Sequence, residues 1–342
     1  MKTEAVHYEG GLVNHYFDAN IAFINELHDA QKIVILTDET VFSLHASSFQ
    51  LFPVIKINGT EANKTQQTVD IIINELLNLN VDKSWMLVAV GGGVITDMGG
   101  YVASIFKRGI KLGLVPTTIL GMTDAAIGGK NGVNVGQYKN MVGTTYRPQY
   151  ILFDYNFLQT LPKAEWVNGF AEIIKHACIK DLEMFNTLSK NNIYYYINNI
   201  NAIANLIEQN VQIKTSVVVN DEFENGERLL LNFGHTFGHA IENLYHLPHG
   251  SAISIGMMIA CKISEEINGF YSSQKEQVAQ LLTQYHLPIK ISFDKKAVFD
   301  LLVKDKKRSG NYINFVLLNA IGNAAIQKIS FEQLADLNEQ IL

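Results

Sequence analysis

The pattern of hydrophobic and polar positions changes character near residue 160. Before that point, short apolar runs alternate with amphipathic stretches. The runs with the length and composition of buried parallel strands are KIVILT (32–37), FPVIKI (52–57) and WMLVAV (85–90). Residues 62–79 carry apolar side chains at helical spacing. Alternation of this kind is typical of βαβ units, so we expect an α/β domain built on a parallel sheet.

The rest of the chain is predicted to be mainly helical. Long stretches with helical periodicity occupy residues 164–190, 200–220, 229–245, 250–269 and 274–286. One later segment, YINFVLLNAIGNAAIQKI (312–329), has two apolar runs around a Gly-Asn turn and predicts a β-hairpin. Pro162 lies in a short connection that leads into a helix, which places the domain boundary there. The predicted domains are residues 1–160 and 161–342.

Composition and charge exclude several classes of protein. The chain has 342 residues, of which 47% are hydrophobic, enough for two cores. Its longest apolar run, AISIGMMIA (252–260), is too short to cross a bilayer, and the first residues lack the layout of a signal peptide. Cys178 and Cys261 are too few for a disulfide framework, which favours a reduced, cytoplasmic location. With a net charge of -6 and no dense basic run, nucleic acid is a poor partner.

A glycine-rich turn follows the third predicted strand. In VAVGGGVITDMGG (88–100), three glycines separate that strand from a predicted helix, so backbone N–H groups can approach a phosphate at the helix N-terminus. The spacing is not that of the G-x-G-x-x-G fingerprint, and a tight strand-to-helix turn explains the glycines equally well. Asp38, after the first strand, is placed to accept hydrogen bonds from a ribose, although Asp is also an ordinary turn residue.

A second polar segment, VPTTILGMTDAAIGGKNGVNVGQYKNMVG (115–143), combines small residues with charged ones. Lys130 and Lys139 can pair with phosphate or carboxylate oxygens, and Asp124 and Asn140 lie close to them in the sequence. The alternative is a solvated loop with ordinary surface lysines.

The segment GFAEIIKHACIK (169–180) places Glu172, Lys175 and His176 on an otherwise apolar helix. As a surface pair, Glu172 and Lys175 would contribute only about a few tenths of a kcal/mol. A carboxylate among apolar residues is a better candidate for a functional site, because a buried carboxylate needs a cation.

Histidines cluster in RLLLNFGHTFGHAIENLYHLPHGSA (228–252). His235 and His239 are one helical turn apart, a spacing at which two imidazoles can reach one zinc ion. The segment is not an H-E-x-x-H motif, because position 236 is Thr. A single helix over 229–245 would continue this polar stripe back to Asn232 and Arg228. Two further histidines, His246 and His249, follow; on its own each is explained as a loop or surface residue.

Taken together, these segments resemble the 3-dehydroquinate synthase family over essentially the whole chain. The motifs that carry the resemblance are GGGVITDMGG, KRGI, VPTTIL, DAAIGGKNGVN, KNMVG, LPKAEWVNGFAEIIKH and RLLLNFGHTFGHAIE, in that order. The resemblance implies an N-terminal Rossmann-like α/β domain that binds NAD and a mainly α-helical C-terminal domain that binds one divalent zinc or cobalt ion. It also implies an active site in the cleft between them.

The resemblance assigns roles to residues at matching positions. The implied metal ligands are Glu172, His235 and His249. The implied NAD contacts are Asp38, Glu61, Lys64, Gly92, Gly93, Asp97, Thr117, Thr118, Lys130, Lys139, Phe157 and Thr160. The implied substrate contacts are Asp124, Lys130, Asn140, Lys175, Lys214, Arg228, Asn232, His239 and Lys306, of which Lys130, Lys175, Asn232 and His239 are the expected catalytic group. Arg108 matches a residue that reaches the neighbouring subunit's substrate, so a homodimer is implied.

The chain departs from the family pattern at a few positions. Thr96 stands where many members have Gly, Ala125 and Ala126 replace a commoner Ser pair, and Ser251 stands where Glu is frequent. None of these changes removes an implied ligand or a charged substrate contact. Ser251 is expected to alter the surroundings of His249, which can tune metal affinity.

The implied reaction converts 3-deoxy-D-arabino-heptulosonate 7-phosphate into 3-dehydroquinate. Transient oxidation by NAD, phosphate elimination, re-reduction and an intramolecular aldol closure follow one another, as part of the shikimate pathway of aromatic amino acid biosynthesis. Other sugar phosphate cyclases, such as 2-epi-5-epi-valiolone or 2-deoxy-scyllo-inosose synthase, share the metal site and cofactor. The remaining alternatives are a metal-dependent glycerol or alcohol dehydrogenase and a non-catalytic NAD-binding protein.

Overall fold

The computed structural model describes residues 1–136, 138–306 and 311–341; the side chains of 304–306 and 338–341 are not among those described. The chain forms two compact units. The first is Met1–Glu165 with Ile200–Thr215, and the second is Trp166–Asn199 with Ser216–Leu342. This clustering differs from the predicted division at residue 160, because Ile200–Thr215 groups with the first unit. Within that unit Lys214 contacts Asp124 and Lys2 pairs with Glu208.

The strands of the first unit form a seven-stranded sheet and a separate hairpin in the described part of the chain. They are β1 (Lys2–Tyr8), β2 (Gly11–Phe17), β3 (Ile33–Asp38), β4 (Val54–Ile57), β5 (Met86–Gly91), β6 (Lys111–Pro116), β7 (Lys130–Val135), β8 (Tyr138–Thr145) and β9 (Tyr150–Phe153). The sheet order is β1-β2-β9-β6-β5-β3-β4, and β1 alone pairs antiparallel in it. The three strands predicted from sequence are β3, β4 and β5. The helices that precede or connect these strands are α1 (Ile24–Leu27), α2 (Glu39–His45), α3 (Gln66–Asn78) and α4 (Gly93–Ile105).

The connections of β3 and β5 determine where a ligand can bind in the first unit. Both strands are almost entirely buried, as expected for parallel strands covered on both faces. The chain leaves β3 toward β4 and then returns to β5 on the opposite side of β3. The order of strands therefore reverses between β3 and β5, and ligands of open α/β sheets bind at the carboxyl ends of the strands at such a point. Asp38 and Gly92 lie at these ends.

The second unit is mainly helical, as predicted. In chain order, the remaining elements are α5 (Lys163–Lys180), α6 (Leu182–Lys190), α7 (Ile193–Ile197), α8 (Ile200–Asn220), α9 (His235–Tyr245), α10 (His249–Asn268), α11 (Ser272–Gln284), α12 (Lys295–Lys306), β10 (Tyr312–Ala320), β11 (Asn323–Ser330) and α13 (Phe331–Ile341). Of these, α5 and α8 have residues in both units. The prediction of an α/β unit followed by a helical unit is confirmed. Cys178 and Cys261 are buried and free. None of the described helices is long and apolar enough to span a membrane.

The prediction of one helix over 229–245 is wrong. A 3-10 helix, Glu227–Asn232, ends before Gly234, whose backbone is left-handed (φ 80°), and α9 begins at His235. Close packing of α10 requires this break: a Cβ on Gly256 would lie 1.9 Å from the Gly234 carbonyl oxygen. A Cβ on Gly234 itself would lie 2.9 Å from the Ile253 carbonyl oxygen. The two helices can approach this closely only where glycine replaces a side chain.

Two other predictions from the sequence concern the helical segment 164–190 and the late hairpin. The segment 164–190 is two helices instead of one, because the Asp181 side chain accepts a hydrogen bond from the Met184 backbone N–H (2.8 Å) and starts α6. The predicted late hairpin is β10 and β11, and the turn contains Gly322 with φ 83°. One face of the hairpin packs Ile313, Phe315 and Leu317 into the core of the second unit.

Candidate active site

Three potential metal ligands meet in the second unit. Glu172 is fully buried on α5, and its Oε1 lies 3.5 Å from His235 Nε2 and 3.3 Å from His249 Nε2. The other carboxylate oxygen pairs with the ammonium of Lys175, which is also buried. The structure thus brings together the three residues to which the resemblance assigns the metal.

Local packing explains why these side chains meet. His249 is the first residue of α10, and the next residue, Gly250, donates its backbone N–H to Asn168 Oδ1 at 2.6 Å. Asn168 lies one helical turn before Glu172 on α5, so the same face of α5 holds the start of α10 and presents the carboxylate. His235 reaches the cluster as the first residue of α9, directly after the turn at Gly234.

The hydrogen bonds of the outward-facing nitrogens of the two histidines determine which ring nitrogens can bind a metal ion. His235 Nδ1 lies 3.1 Å from the Phe233 carbonyl oxygen, which can only accept a hydrogen bond, so Nδ1 carries the proton. His249 Nδ1 lies 3.3 Å from Glu242 Oε2, which likewise accepts. In the neutral imidazoles both Nε2 atoms then have lone pairs directed at Glu172. Oriented imidazoles and one carboxylate are the donor set of a three-ligand zinc site, so these residues fit a divalent ion.

A second cluster competes for the same histidine. His239, Glu242 and His249 also come close enough to hold an ion. In that arrangement Glu242 would bind metal instead of holding His249 Nδ1, and the exposed His239 would replace the buried Glu172. The first cluster is favoured because it leaves each imidazole with an acceptor for its second nitrogen.

The charges of the cluster balance one another. Burial raises the pKa of Glu172, but Lys175, His235 and His249 outweigh it and hold the pKa well below its usual value. Burial lowers the pKa of His235 to about 3, so this imidazole is neutral at pH 7. Burial also lowers the pKa of His249, but the carboxylates of Glu172 and Glu242 raise it to about 9. A metal ion would therefore displace a proton from His249 on binding.

The remaining two histidines of the segment lie differently. His239 is exposed on α9, one turn after His235, with its ring centroid 5.0 Å from that of His235 and 6.2 Å from that of His249. His239 therefore lies beside the cluster, next to His235 and His249. His246 is exposed and ends α9 with a left-handed backbone.

The other implied substrate contacts of the second unit form hydrogen bonds with residues nearby in the sequence. Arg228 is buried, and its guanidinium donates to the Glu222 carbonyl oxygen at 2.7 Å. Asn232 donates its amide to Glu224 Oε1 at 2.7 Å. The stripe expected along one continuous helix is absent, because Arg228 and Asn232 lie on the 3-10 helix before the turn. The side chain of Lys306 lies outside the described residues.

In the first unit, two lysines hold two carboxylates. Lys214 Nζ donates to Asp124 Oδ1 at 2.8 Å and to the Asp124 carbonyl oxygen at 2.5 Å. Lys64 Nζ lies 2.5 Å from Asp97 Oδ2 and 2.6 Å from Asn140 Oδ1. Burial raises the pKa of Asp97, and Lys64 opposes that rise. Asn140, an implied substrate contact, is thus bonded to Lys64, an implied NAD contact.

The glycine turn is closely packed against Thr118 and leads directly into the N-terminus of α4. Gly92 caps α4 without a side chain, and a Cβ there would lie 3.2 Å from Thr118 Cγ2. Thr118 Oγ1 accepts from the Gly121 N–H, and Thr117 donates its N–H to the Gly91 carbonyl oxygen. The close packing explains the glycines structurally, and the first N–H groups of α4 still provide a place for a phosphate.

The other implied NAD contacts lie near the same strand ends or farther along the chain. Asp38 Oδ1 accepts from the Val41 N–H at 2.9 Å and so caps α2. Glu61 Oε1 accepts from the Asn134 amide at 2.8 Å. The Phe157 side chain is packed in the core, whereas Thr160 Oγ1 bonds His45 Nε2 at 2.7 Å.

Three further implied positions and one of the departures differ in their burial. Lys130, the first residue of β7, is exposed, and Lys139 on β8 is half-buried. Arg108 is exposed in a turn after α4, where Lys107 and Arg108 both have left-handed backbones (φ 49° and 64°). Thr96, one of the departures, is buried and donates its hydroxyl to the Gly93 carbonyl oxygen at 3.1 Å.

Sequence reasoning missed two residues that position the cluster. Glu242 lies seven residues after His235, two turns along the same helix face, and that spacing is the signal that could have indicated it. Asn168 had no comparable signal, because its partner Gly250 is distant in the sequence.

Comparison with known proteins identifies the family. The 3-dehydroquinate synthase N-terminal family matches residues 54–168, and the 3-dehydroquinate synthase C-terminal family matches residues 169–308. A 3-dehydroquinate synthase from Clostridium beijerinckii is 38% identical over 335 residues, which is 94% of each chain. One from Pyrococcus abyssi is 38% identical over 321 residues, which is 91% of this chain and 93% of its own.

Solved structures agree with the sequence matches. A 2-epi-5-epi-valiolone synthase from Streptomyces hygroscopicus with NAD⁺ and Zn²⁺ bound superimposes with a TM-score of 0.86 at 27% identity over 99% of both chains. A 2-deoxy-scyllo-inosose synthase complexed with carbaglucose-6-phosphate, NAD⁺ and Co²⁺ has a TM-score of 0.87 at 24% identity over 100% of both chains, and shares the fold. From the two family matches and the curated relatives, this chain belongs to the 3-dehydroquinate synthase family.

Proposed function

We propose that this protein is a 3-dehydroquinate synthase, a carbon–oxygen lyase acting on phosphates. It converts 3-deoxy-D-arabino-heptulosonate 7-phosphate into 3-dehydroquinate and inorganic phosphate, a step of the shikimate pathway of aromatic amino acid biosynthesis. The observation that carries the proposal is the cluster of Glu172, His235 and His249 with both imidazoles oriented, in a chain of this family.

Two cofactors are part of the proposal. NAD, when bound, takes a hydride from the substrate and later returns it, while a zinc or cobalt ion polarises the substrate hydroxyl and lowers its pKa. The NAD site is assigned to the carboxyl ends of β3 and β5, where Asp38 would hold a ribose and the N-terminus of α4 would hold the phosphates. The ion is assigned to Glu172, His235 and His249, whose three donors leave coordination positions open.

His239 is assigned the proton of the reacting hydroxyl. Its imidazole borders the cluster but is exposed, so it can exchange a proton with substrate on one side and water on the other. Histidine suits this role because its pKa lies close to neutral pH. His235 cannot share the role, since its Nδ1 proton is held by the Phe233 carbonyl oxygen.

The proposed substrate carries a carboxylate and a phosphate, whereas the protein has a net charge of -6. Positive charge must therefore be concentrated locally. In the second unit Lys175 and Arg228 are buried cations, and Asn232 adds an amide. In the first unit the assigned cations are Lys130 and Lys214. Lys175 also holds Glu172, so it both binds the substrate and orients a metal ligand.

A homodimer completes the proposed site. Arg108 ends the 3-10 helix Phe106–Arg108 with a left-handed backbone (φ 64°), and its side chain is exposed. We assign it to the substrate of the neighbouring subunit, where it would supply a further anion-binding group.

The reaction itself is tested by mixing purified protein, NAD, zinc and the heptulosonate phosphate. We expect inorganic phosphate to appear in proportion to substrate consumed, with no net rise in nicotinamide absorbance, because the hydride is returned. His235→Ala protein serves as the control. Accumulating NADH would identify a dehydrogenase, and absence of phosphate release would exclude the proposed reaction.

The division of labour between the histidines is tested by two matched variants. His235→Ala should purify without stoichiometric zinc, because one of three ligands is missing. His239→Ala should retain stoichiometric zinc and lose turnover by about 10²–10⁴-fold, the usual contribution of a general acid or base. Zinc content is measured by elemental analysis and kcat by phosphate release; equal loss of zinc in both variants would contradict the assignment.

The role of Arg108 across the dimer is tested by subunit mixing. Arg108→Ala and His235→Ala proteins should each be inactive, since each lacks one part of every site. After denaturation and refolding together, mixed dimers regain one complete site, so activity should return to about one quarter of the wild-type value for random pairing. If the mixture stays inactive while refolded wild-type protein recovers, Arg108 does not act in the neighbouring subunit.

A further inference from the structure

A cavity in the second unit shares one residue, Asn232, with the proposed substrate site. It has a volume of about 340 Å³ and lies between the β10–β11 hairpin and the chain segment that leads from the 3-10 helix into α9. Its polar lining residues are Asn232, Thr236, Tyr312, Asn314 and Lys328, and its apolar ones are Leu229, Ile313, Val316 and Ile326. The volume is at the low end of the range for small-molecule sites, about 300–1,000 Å³.

The hairpin presents a mixed face to this cavity. Tyr312, Asn314 and Val316 alternate along β10, and side chains two apart on a strand share a face. Asn314 pairs directly with Lys328 on β11, and Val316 pairs with Ile326. An amide and an ammonium therefore stand side by side, next to two branched aliphatic side chains.

The opposite face of the same hairpin packs into the core of the second unit, although Ile313 also lines the cavity. Ile313, Phe315 and Leu317 are buried in the core together with Phe237 and Ile255. That core fixes the backbone of the hairpin, so the polar pair is held on a rigid element. Rigid placement of a few polar groups beside apolar walls is characteristic of a ligand site.

Several polar groups of the cavity are uncommitted. Among the described residues, the side chains of Lys328, Asn314 and Thr236 have neither a hydrogen bond nor an ion pair. Asn232 differs, because its amide is bonded to Glu224. A single cation beside two neutral groups provides one unit of positive charge, which matches a carboxylate better than a phosphate dianion.

We infer that this cavity binds a small carboxylate with an apolar body about the size of one ring. The carboxylate lies against Lys328 and Asn314, and the ring lies against Val316, Ile326 and Tyr312. The ligand also touches Asn232 and Thr236, which flank the Gly234 turn and His235 in the chain. None of the Glu172, His235 and His249 side chains lines the cavity, so ligand binding there can be measured separately from metal binding, although Asn232 is shared with the proposed substrate site.

The inference is tested by calorimetric titration of the full chain, loaded with NAD and zinc, with benzoate as the probe. Benzyl alcohol, which has the same ring and no charge, should bind at least about tenfold more weakly, since a charge-assisted bond is lost. Lys328→Met should weaken benzoate binding by a similar factor. Lys290→Met, which removes an exposed lysine outside the cavity, is the matched control and should bind as wild type.

A second variant tests whether weaker binding results from misfolding, and a variant of the metal cluster tests whether benzoate binds there instead. Asn314→Asp puts a like charge beside the ligand on an exposed strand position and should also weaken benzoate binding, with an unchanged melting temperature. His235→Ala should bind benzoate as tightly as wild type. The inference is overturned if benzoate does not bind at millimolar concentration, if Lys328→Met and Asn314→Asp leave binding unchanged, or if His235→Ala abolishes it.

Discussion

The structure of the second unit depends on the cations and hydrogen bonds that compensate the buried negative charge of Glu172. Glu172 is completely buried in a helix whose neighbouring side chains, Ile173 and Ile174, are also buried. Removing a carboxylate from water costs several kcal/mol, by order of magnitude, unless cations and hydrogen bonds replace the lost hydration. Lys175 supplies one cation from the next turn of the same helix, and the Nε2 atoms of two histidines approach the other oxygen. A divalent ion at this point would complete the compensation, which is why the cluster is better explained as a metal site than as packing.

Glycine makes that convergence possible. His235 and His249 begin two helices that must pass at backbone contact for both imidazoles to reach one carboxylate. Gly234 and Gly256 provide the contact and leave no room for a side chain, and a Cβ on Gly238 would lie only 3.1 Å from the Ala252 carbonyl oxygen. The same turn separates Asn232 from α9 and leaves it beside the cavity that we assign to a carboxylate ligand. One close helix crossing thus shapes both the metal cluster and the neighbouring cavity.

The sequence predicts the parts of this fold that local patterns control. The strands β3, β4 and β5 and the late hairpin follow from apolar runs and a Gly-Asn turn, and the buried role of Glu172 follows from its apolar neighbours. The split at Gly234 does not follow, because it is imposed by α10, which packs against α9 from farther along the chain. For the same reason the one-turn spacing of His235 and His239 cannot reveal that His249 lies beside Glu172; the family resemblance assigned that residue before the structure placed it there. The strands β7 and β8 were also missed, since β8 is mostly exposed and lacks the apolar alternation of a packed strand.

The most direct test of this account is X-ray absorption spectroscopy of the zinc-loaded protein. Imidazole rings produce characteristic multiple scattering, so their number at the metal can be counted, and zinc–nitrogen distances of about 2.0–2.1 Å are expected. The account predicts two imidazoles and one carboxylate oxygen, with one imidazole lost in His249→Ala measured at saturating zinc and none lost in His239→Ala. Loss of an imidazole in His239→Ala, with the His249→Ala spectrum unchanged, would contradict it.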